Sequence, residues 1–284
     1  MKTRAVRAAG AALLAIGIAI GTLSDRTPPR APIRSGDFWI LAGDFHVHAF
    51  PGDGTLTPFS LREEASRAGL DVIAVVNHNA FAAPRLIPWM STSADLPLVI
   101  ASEEITHSDY HMIAVGIDRR ISPELPVSRT VATVHSAGGI AIAAHPGRIF
   151  LAYDEDALSA VDGTEVARAE RREDYRREYV DAFERARRLN PHVAPIGSSD
   201  FHATPSLGAS RTFLFVRERT RSGVLDAIRA GRTVAENDRG EMFGDPSLIA
   251  RVRAATPAGR IDPHPRWRRL SLVLAWCGLA GVVL

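Results

Sequence analysis

The sequence contains one cysteine and one lysine, and its formal net charge is only +2. Because Cys277 has no partner in the chain, an intrachain disulfide and a zinc site built on cysteines are both excluded. The near balance of charge supplies no overall attraction to nucleic acid, so a duplex-binding role is not expected. Any metal ion that the chain binds must be held by histidines, of which there are 10, and by carboxylates, of which there are 32.

The remaining composition is typical of a globular protein, since the 284 residues are 46% hydrophobic and 23% charged. Short apolar runs alternate along the chain with segments of helical periodicity. Runs of this length are typical of strands buried on both faces of a parallel sheet. An α/β barrel is therefore the first fold expected, and a doubly wound sheet is the second. The predicted strands are 38–45, 72–76, 98–101, 112–117, 140–144, 163–166, 193–196 and 212–216, and the predicted helices are 60–68, 128–137, 174–189 and 221–230.

The two ends of the chain differ from its middle. Lys2, Arg4 and Arg7 form a basic start, and the residues that follow, 8–24, carry no charge. This order is typical of an export signal peptide or of an N-terminal membrane anchor, so we expect a periplasmic or membrane-anchored protein. A second apolar run, 270–284, spans only about 22 Å as a helix. It either dips into a membrane or packs against the N-terminal segment.

The chain is thereby divided into five segments. Residues 1–24 are the signal peptide or anchor, and residues 25–35, rich in proline and arginine, are predicted to form a linker. The main domain is expected over 36–240. A tail, 241–269, and the apolar C-terminal segment, 270–284, follow it, and the two terminal segments are the candidate contacts with a membrane.

Histidine and carboxylate side chains recur where the predicted strands end. His46 and His48 close the first strand, and because side chains at i and i+2 of an extended segment point the same way, both imidazoles can reach one metal ion. Alone, this pair is as typical of two core or surface histidines. Strand ends are where α/β barrels collect catalytic groups, so the repeated occurrence predicts a metal centre. The further residues at these positions are Asp53, His78, Glu103, Glu104, His111, His145, Asp200 and His202.

The order of these motifs resembles that of the polymerase and histidinol phosphatase (PHP) family of metal-dependent phosphoesterases. The resemblance extends over about residues 36–236 and is specific as an ordered set. It implies a distorted seven-stranded α/β barrel, most similar to the exported single-domain hydrolases of the family, which include carbamate- and ester-cleaving members. The matching motifs are His46-Val47-His48, Asp53-Gly54, Gly69-Leu70-Asp71, Asn77-His78-Asn79, Glu104-Ile105-Thr106, His111, His145-Pro146 and Ser199-Asp200-Phe201-His202.

The resemblance also implies two or three divalent ions, and zinc, manganese and iron all suit histidine and carboxylate ligands. Because Lys2 is the only lysine, a carboxylated lysine cannot bridge two ions in the barrel. Glu104, Asp200 and His202 are the residues implied for catalysis. The implied ligand groups are His46, His48 and Asp200 for the first ion, Glu104, His111 and His145 for the second, with Glu104 bridging, and Asp53, His78 and His202 for the third.

Two positions bear on these ligands. The family usually has an acidic residue directly before the histidine of the second strand, whereas this chain has Asn77, which removes a negative charge close to the third ion. Glu103 competes with Glu104 for the bridging position. Glu104 is preferred because Glu104-Ile105-Thr106 fits the pattern of the family.

The expected chemistry follows from charge. Divalent ions outweigh the charge of their carboxylate ligands and attract an anionic phosphoester, and the resemblance implies a metal-bridging hydroxide as nucleophile. Hydrolysis of a small-molecule phosphoester is the first expectation. Hydrolysis of a carboxylic or carbamate ester on the same ions stays open, and so does a non-catalytic metal-binding domain. Arg148 either binds the substrate or is a plain surface arginine, and His107 either lines the pocket or is a polar loop residue.

Overall fold

The computed structural model describes residues 2–24, 33–89, 97–147, 153–204, 206–255 and 266–283. The chain forms two compact units. One unit consists of Met1–Pro29 together with Gly259–Leu284, and the other consists of Arg30–Ala258. The unit over Arg30–Ala258, called the larger unit below, contains every predicted ligand of the metal centre.

The elements of the larger unit alternate between strands and helices along most of its length. A 3₁₀ helix over Pro84–Trp89 follows β3. All eight predicted strands and all four predicted helices are present. The strands are β1 (Ile33–Ser35), β2 (Phe38–Val47), β3 (Val72–His78), β4 (Leu98–Thr106), β5 (His111–Val115), β6 (Ile140–Ala143), β7 (Gly163–Arg168), β8 (Ala194–Ser198), β9 (Arg211–Val216), β10 (Thr233–Glu236) and β11 (Met242–Gly244). The helices of the chain are α1 (Lys2–Ser24), α2 (Pro58–Arg67), α3 (Val127–Ser136), α4 (Glu155–Ala160), α5 (Glu173–Leu189), α6 (Arg221–Arg229), α7 (Pro246–Ala255) and α8 (Arg266–Val283).

The strands form one mixed sheet in the order β11-β10-β9-β2-β3-β4-β5-β6-β7-β8, and β1 pairs with β2. Strands β2, β3 and β4 are parallel, as are β6, β7 and β8, whereas β5 is antiparallel to both of its neighbours. The sheet nearly closes on itself, because the backbone N–H of Gly197 on β8 donates to Thr212 Oγ1 on β9 at 2.9 Å. Thr233 Oγ1 on β10 also donates to the carbonyl of Pro195, at 3.0 Å.

The predicted α/β barrel is therefore confirmed, although its sheet has eleven strands where seven were expected. The additional strands include β1, β10 and β11, which pair antiparallel and have three or four residues each. Strands this short carry too few residues to show a clear hydrophobic period. The close approach of β8 to β9 requires a glycine, since a Cβ on Gly197 would lie 2.2 Å from the carbonyl oxygen of Arg211.

Strand β3 shows why continuous apolar runs mark this sheet. Val72, Ala74 and Val76 belong to a buried cluster that includes apolar side chains of α6. Ile73 and Val75 point the other way, into a second cluster that includes side chains of α2. Because successive side chains of a strand alternate between faces, a strand covered on both faces is apolar at every position.

The larger unit is longer at both ends than the predicted domain, 36–240. At its start, β1 pairs with β2. At its end, β11 pairs with β10, and the guanidinium of Arg251 on α7 donates to Ser35 Oγ at 3.0 Å. These contacts attach part of the predicted linker and part of the predicted tail to the barrel.

One described helix segment, Arg4–Gly21, is long and apolar enough to cross a membrane. The apolar part of α8, Leu270–Val283, is shorter than such a span. A signal sequence and a buried core helix share these properties of length and composition, so the finding fits export without establishing it.

Candidate metal centre

The nine predicted ligands lie together at one edge of the sheet. The parallel strands β2, β3 and β4 end at this edge, and the antiparallel β5 begins there. The imidazole rings of His48 and His202 stack with their centroids 3.8 Å apart, and those of His46 and His145 are 5.6 Å apart. Strand direction thus gathers residues that are up to 156 positions apart in the sequence, from His46 to His202.

Four buried nitrogen and oxygen atoms that could bind a metal ion form the centre of this cluster. They are His46 Nε2, His48 Nε2, Glu104 Oε2 and Asp200 Oδ1, and within the described part of the chain none makes a hydrogen bond of acceptable geometry. Both imidazole nitrogens lie 3.1–3.2 Å from each of the two carboxylate oxygens. Tetrahedral zinc with ligands at about 2.0 Å separates its ligand atoms by about 3.3 Å. The donor set and its spacing therefore fit a divalent metal ion.

The other oxygen of the Glu104 carboxylate faces a second group of histidines. Glu104 Oε1 lies 2.8 Å from His111 Nδ1 and 3.2 Å from His145 Nε2. His78 also approaches the carboxylate, with Nδ1 3.0 Å from Oε2. One fully buried carboxylate thus contacts imidazoles of two groups through different oxygens, which is the arrangement that a bridging ligand requires.

The third predicted group is more open to solvent. The side chains of Asp53, His78 and His202 are 38%, 37% and 35% exposed. Asp53 Oδ2 lies 3.1 Å from His202 Nε2 and 3.4 Å from His78 Nε2. The second oxygen, Asp53 Oδ1, lies 3.1 Å from His48 Nδ1 and so links this group to the buried one. A third ion at this position would be the most accessible of the three.

Glu104, and not Glu103, faces the cluster. Adjacent residues of a strand point to opposite faces, and Glu103 Oε2 accepts a hydrogen bond of 2.8 Å from the backbone N–H of Ile121 on the far side. Burial raises the pKa of Glu103 to about 7. The carboxyl of Glu104 is buried as well, but the neighbouring histidines, His46 first among them, hold its pKa well below the usual range.

Glu165 is a site residue that the sequence analysis missed. Its Oε1 lies 2.8 Å from His46 Nδ1 and also accepts from the Ser198 hydroxyl, and its Oε2 accepts from the backbone N–H of His145 at 2.6 Å. Burial alone would raise the pKa of Glu165, but the charge of His46 lowers it to about 2. A carboxylate on the remote nitrogen of a metal-binding imidazole fixes the tautomer and the ring orientation, and Glu165 is placed to do both.

Asp44 holds the segment that carries two of the predicted ligands. This buried carboxylate accepts from the Ser199 hydroxyl at 2.6 Å and from the backbone N–H groups of Ser199 at 3.0 Å and Gly208 at 2.9 Å. Burial raises its pKa to about 6. Because Asp200 and His202 lie within the segment that Asp44 anchors, its bonds position two of the predicted ligands. Its separation of two residues from His46 was the signal that the two share a strand face.

Backbone strain is concentrated at the site. Among the residues that the structure describes, three other than glycine have positive φ, namely Asn79 at 48°, His145 at 30° and Asp200 at 53°. Each lies at the edge of the sheet where the ligands meet. Such conformations cost free energy and persist only where surrounding contacts hold them. The amide of Asn79 is held by Thr106, whose backbone N–H donates to it at 2.9 Å and whose carbonyl accepts from it at 2.8 Å.

Arg168 at the end of β7 adds a positive charge that the sequence analysis did not assign. Its guanidinium pairs with the Asp200 carboxylate, and its side chain is largely buried. It lines a cavity of about 310 Å³ that opens onto the cluster. The residues lining this cavity include His78, His111, His145, Gly147, Arg168, Glu170, Tyr175, Tyr179 and Asp200.

Of the two residues predicted to bind substrate, only His107 lies in the described part of the chain. Arg148 lies outside the described residues. His107 lies in the loop between β4 and β5, where its ring stacks on Tyr110 with centroids 5.0 Å apart. Its Nδ1 accepts from the backbone N–H of Asp109 at 3.0 Å, and His107 is not among the described residues that line the cavity.

Asn77 anchors a loop rather than facing the third group. Its Oδ1 accepts from the backbone N–H of Ala49 at 2.8 Å, and its Nδ2 donates to the carbonyls of Ala49 and Pro51, both at 2.9 Å. An aspartate has no donor for these two carbonyls. The asparagine therefore matches the contacts that it makes, and these contacts hold the loop that leads to Asp53.

Asn77→Asp is accordingly expected to lower the free energy of unfolding by about 1–3 kcal/mol, because the carbonyls of Ala49 and Pro51 lose their donor and face a carboxylate. Urea unfolding of the full chain measures the change. Asn190→Asp is the matched control, since it removes a single donor bond of 3.3 Å from a partly exposed side chain. Equal losses in the two variants would contradict the anchoring role of Asn77.

No protein-family model matches the sequence, and no curated protein matches it significantly. Among solved structures, the chain is similar to a two-domain protein from Bacteroides vulgatus containing a predicted PHP-like metal-dependent phosphoesterase. The TM-score is 0.62 at 20% sequence identity, over 81% of this chain and 74% of that one. The fold is PHP-type. This agrees with the resemblance carried by the motifs.

Two further similar structures have lower TM-scores. A protein from Bifidobacterium adolescentis, proposed to be a metal-dependent phosphoesterase, is 19% identical with a TM-score of 0.46, over 58% of this chain and 90% of that one. The lesion-specific endonuclease EndoQ from Pyrococcus furiosus is 12% identical with a TM-score of 0.49, over 83% of this chain and 71% of that one.

Proposed function

We propose that the chain is a metal-dependent hydrolase whose substrates are phosphoesters. The observation that carries the proposal is the group of four buried atoms, His46 Nε2, His48 Nε2, Glu104 Oε2 and Asp200 Oδ1, which have no hydrogen-bond partner among the described residues. A buried polar atom without a partner costs about 1–3 kcal/mol. A cation in the space between them would satisfy all four atoms at once, because each nitrogen lies 3.1–3.2 Å from both oxygens.

Nine side chains of the barrel would hold the ions in this proposal. His46, His48 and Asp200 hold the first, His111 and His145 the second, and Glu104 contacts both. A bound divalent ion lowers the pKa of a coordinated water toward neutrality, which supplies a nucleophile without a serine or a cysteine. Asp53, His78 and His202 form the exposed group that would hold a third ion.

Two buried carboxylates, Glu165 and Asp44, orient the proposed metal ligands through the contacts described above. Glu104 and Asp200 are proposed as catalytic residues because they lie between the groups and at the cavity. His202 is proposed as the third because its partly exposed ring stacks on His48, at the boundary between the buried and the exposed ligand groups.

A phosphoester fits the cavity better than a neutral ester does, because Arg168 presents a guanidinium there. Arginine forms two parallel hydrogen bonds to phosphate, and in a largely buried position these bonds are strengthened by charge. The role that the sequence suggested for Arg148 thus has a described candidate in Arg168. Carboxylic and carbamate esters remain the second class of substrate, since the same ligands would activate water for them.

The experiment uses the purified full chain supplemented in turn with zinc, manganese and ferrous iron. Phosphomonoesters, phosphodiesters, carboxylic esters and carbamates are assayed before and after removal of metal by a chelator. Metal-dependent hydrolysis of a phosphoester class is the expected result. Activity on carboxylic or carbamate esters alone would reassign the substrate. Hydrolysis of none of the four classes with metal bound would favour a non-catalytic metal-binding domain.

Arg168→Gln is expected to raise KM for a phosphoester about 10- to 100-fold, the loss that corresponds to a charge-assisted hydrogen bond of about 1.5–3 kcal/mol. Steady-state kinetics measures the change, and metal content is measured in parallel because Arg168 also pairs with Asp200. The control is Arg172→Gln, which removes an exposed arginine paired with Asp174. An unchanged KM in Arg168→Gln would show that the substrate does not contact this arginine.

We also propose that the hydrolase acts outside the cytoplasm. The basic start at Lys2, Arg4 and Arg7 and the uncharged run that follows support export, and the helix over Arg4–Gly21 has the length of a membrane span.

A further inference from the structure

The two terminal helices, α1 and α8, pack against each other in antiparallel register. A Cβ placed on Gly10 would lie 2.6 Å from the backbone of Gly281, and one on Gly17 would lie 2.6 Å from the backbone nitrogen of Ala275. Such distances leave no space for a side chain at the interface. The two backbones therefore approach each other directly, as they do where small residues form the contact between membrane helices.

Burial in this helix pair is the reverse of that in a water-soluble bundle. The buried residues are small, namely Gly10, Gly17, Ser271 and Gly278. The large apolar side chains point outward instead. They include Val6, Leu13, Ile16, Ile18, Leu272, Val273, Trp276, Leu279 and Val283, whose exposed fractions range from 37% to 74%. A two-helix unit with apolar side chains on its whole outer surface is stable when that surface contacts lipid and unstable when it contacts water.

Charge is confined to the ends of the pair. Lys2, Arg4 and Arg7 precede the uncharged part of α1, and α8 begins with the sequence Arg-Trp-Arg-Arg and has no charge after residue 269. As helices of 23 and 18 residues, α1 and α8 are about 35 Å and 27 Å long, and the apolar part of α8, Leu270–Val283, accounts for about 21 Å against the ~30 Å of the hydrocarbon core. A bilayer accommodates an apolar run shorter than its hydrocarbon core by thinning locally, at a modest cost in free energy.

We propose that α1 and α8 form a helical hairpin that spans a lipid bilayer, and that α1 is retained rather than removed as a signal peptide. The hairpin would place Arg4 and Val283 near one face of the membrane and Gly21 and Ser271 near the other, since the two helices run antiparallel. Cleavage after α1 would remove the partner of α8 and expose the glycines at its interface. This inference extends the proposed location and does not depend on the hydrolytic activity.

Cysteine cross-linking in membranes tests the hairpin directly. A Cβ on Gly21 would lie 3.6 Å from the Cβ of Ser271, within the range of about 3.5–4.5 Å that disulfides need. Gly21→Cys and Ser271→Cys are introduced together in a Cys277→Ser background, and washed membranes are treated with an oxidant. An intramolecular disulfide is expected. The control replaces Gly21→Cys by Ile18→Cys, whose side chain points outward, and should form little disulfide.

A second measurement needs no substitution. Cys277 is exposed on the outer surface of α8, so in the proposed hairpin it faces lipid. The full chain, reconstituted in vesicles of phosphatidylethanolamine and phosphatidylglycerol, is expected to resist extraction at alkaline pH and to react with a water-soluble maleimide only after detergent is added. Loss of residues 1–21 from the mature chain, release at alkaline pH, or equal cross-linking of the control pair would each overturn the proposal.

Discussion

Glu104→Gln is expected to reduce phosphoester hydrolysis at least about 100-fold, on the scale of losing one electrostatic contact to the transition state. Both oxygens of Glu104 contact imidazoles of the cluster, Oε1 that of His111 at 2.8 Å and Oε2 that of His46 at 3.1 Å. A neutral amide is a poor ligand for divalent cations, so both proposed ions lose affinity at once. Steady-state kinetics at saturating metal measures the loss, and circular dichroism checks the fold, which should survive a nearly isosteric change.

Glu103→Gln is the matched control for this variant, since it makes the same chemical change one residue away. Glu103 points to the opposite face of β4 and bonds the backbone of Ile121. A glutamine there keeps an acceptor for this bond and removes a carboxyl that burial already disfavours as an anion. Equal losses of activity in the two variants would contradict the assignment of Glu104. No loss in either would favour a non-catalytic domain.

Glu165→Gln is expected to reduce activity or metal affinity about 10- to 100-fold, the usual cost of losing a carboxylate partner of a metal-binding histidine. Glu165 accepts from three donors, so a glutamine must turn its NH₂ group toward at least one of them. The imidazole of His46 then loses the partner that fixes its tautomer. Glu165 acts through His46, so it is a positioning residue.

The readout for this role is the dependence of activity on metal concentration. Raised metal should restore part of the activity of Glu165→Gln by refilling a weakened site. Ser198→Ala is the control, because it removes one neutral donor to Glu165 and leaves the carboxylate in place. An activity curve that is unchanged in Glu165→Gln would show that the carboxylate does not position His46.

Many strands and helices can be predicted from the sequence, because their hydrophobic pattern follows from how they are buried. The run 72–76 is apolar at every position because β3 is covered on both faces. In α5, Tyr179 and Phe183 lie one turn apart and both are buried, so the buried face of this helix follows the helical period of the sequence. By contrast, β11 has three half-buried residues, and it forms only because β10 offers it an edge. Strands that depend on a neighbour leave little local pattern.

The sequence predicts the site residues that lie in motifs, and it does not predict those that lie outside them. Histidines at strand ends stand out, because few other roles require them at such positions. Glu165 lies inside β7 between Thr164 and Val166, and only the fold brings its carboxylate to His46. Arg168 lies at a strand end as well, but it is followed by a segment rich in arginine and glutamate. In the sequence, nothing distinguishes it from the surface charges of that segment. The role of Asn77 depends on a loop conformation that no spacing predicts.

Elemental analysis of the purified full chain is the most direct test of the central claim, that the cluster around Glu104 is a metal centre. After supplementation with zinc and manganese and removal of free metal, at least two transition-metal ions per folded chain are expected. Glu104→Gln should retain fewer, whereas Glu103→Gln should match the parent chain. Fewer than one ion per folded chain in the parent protein would contradict the account.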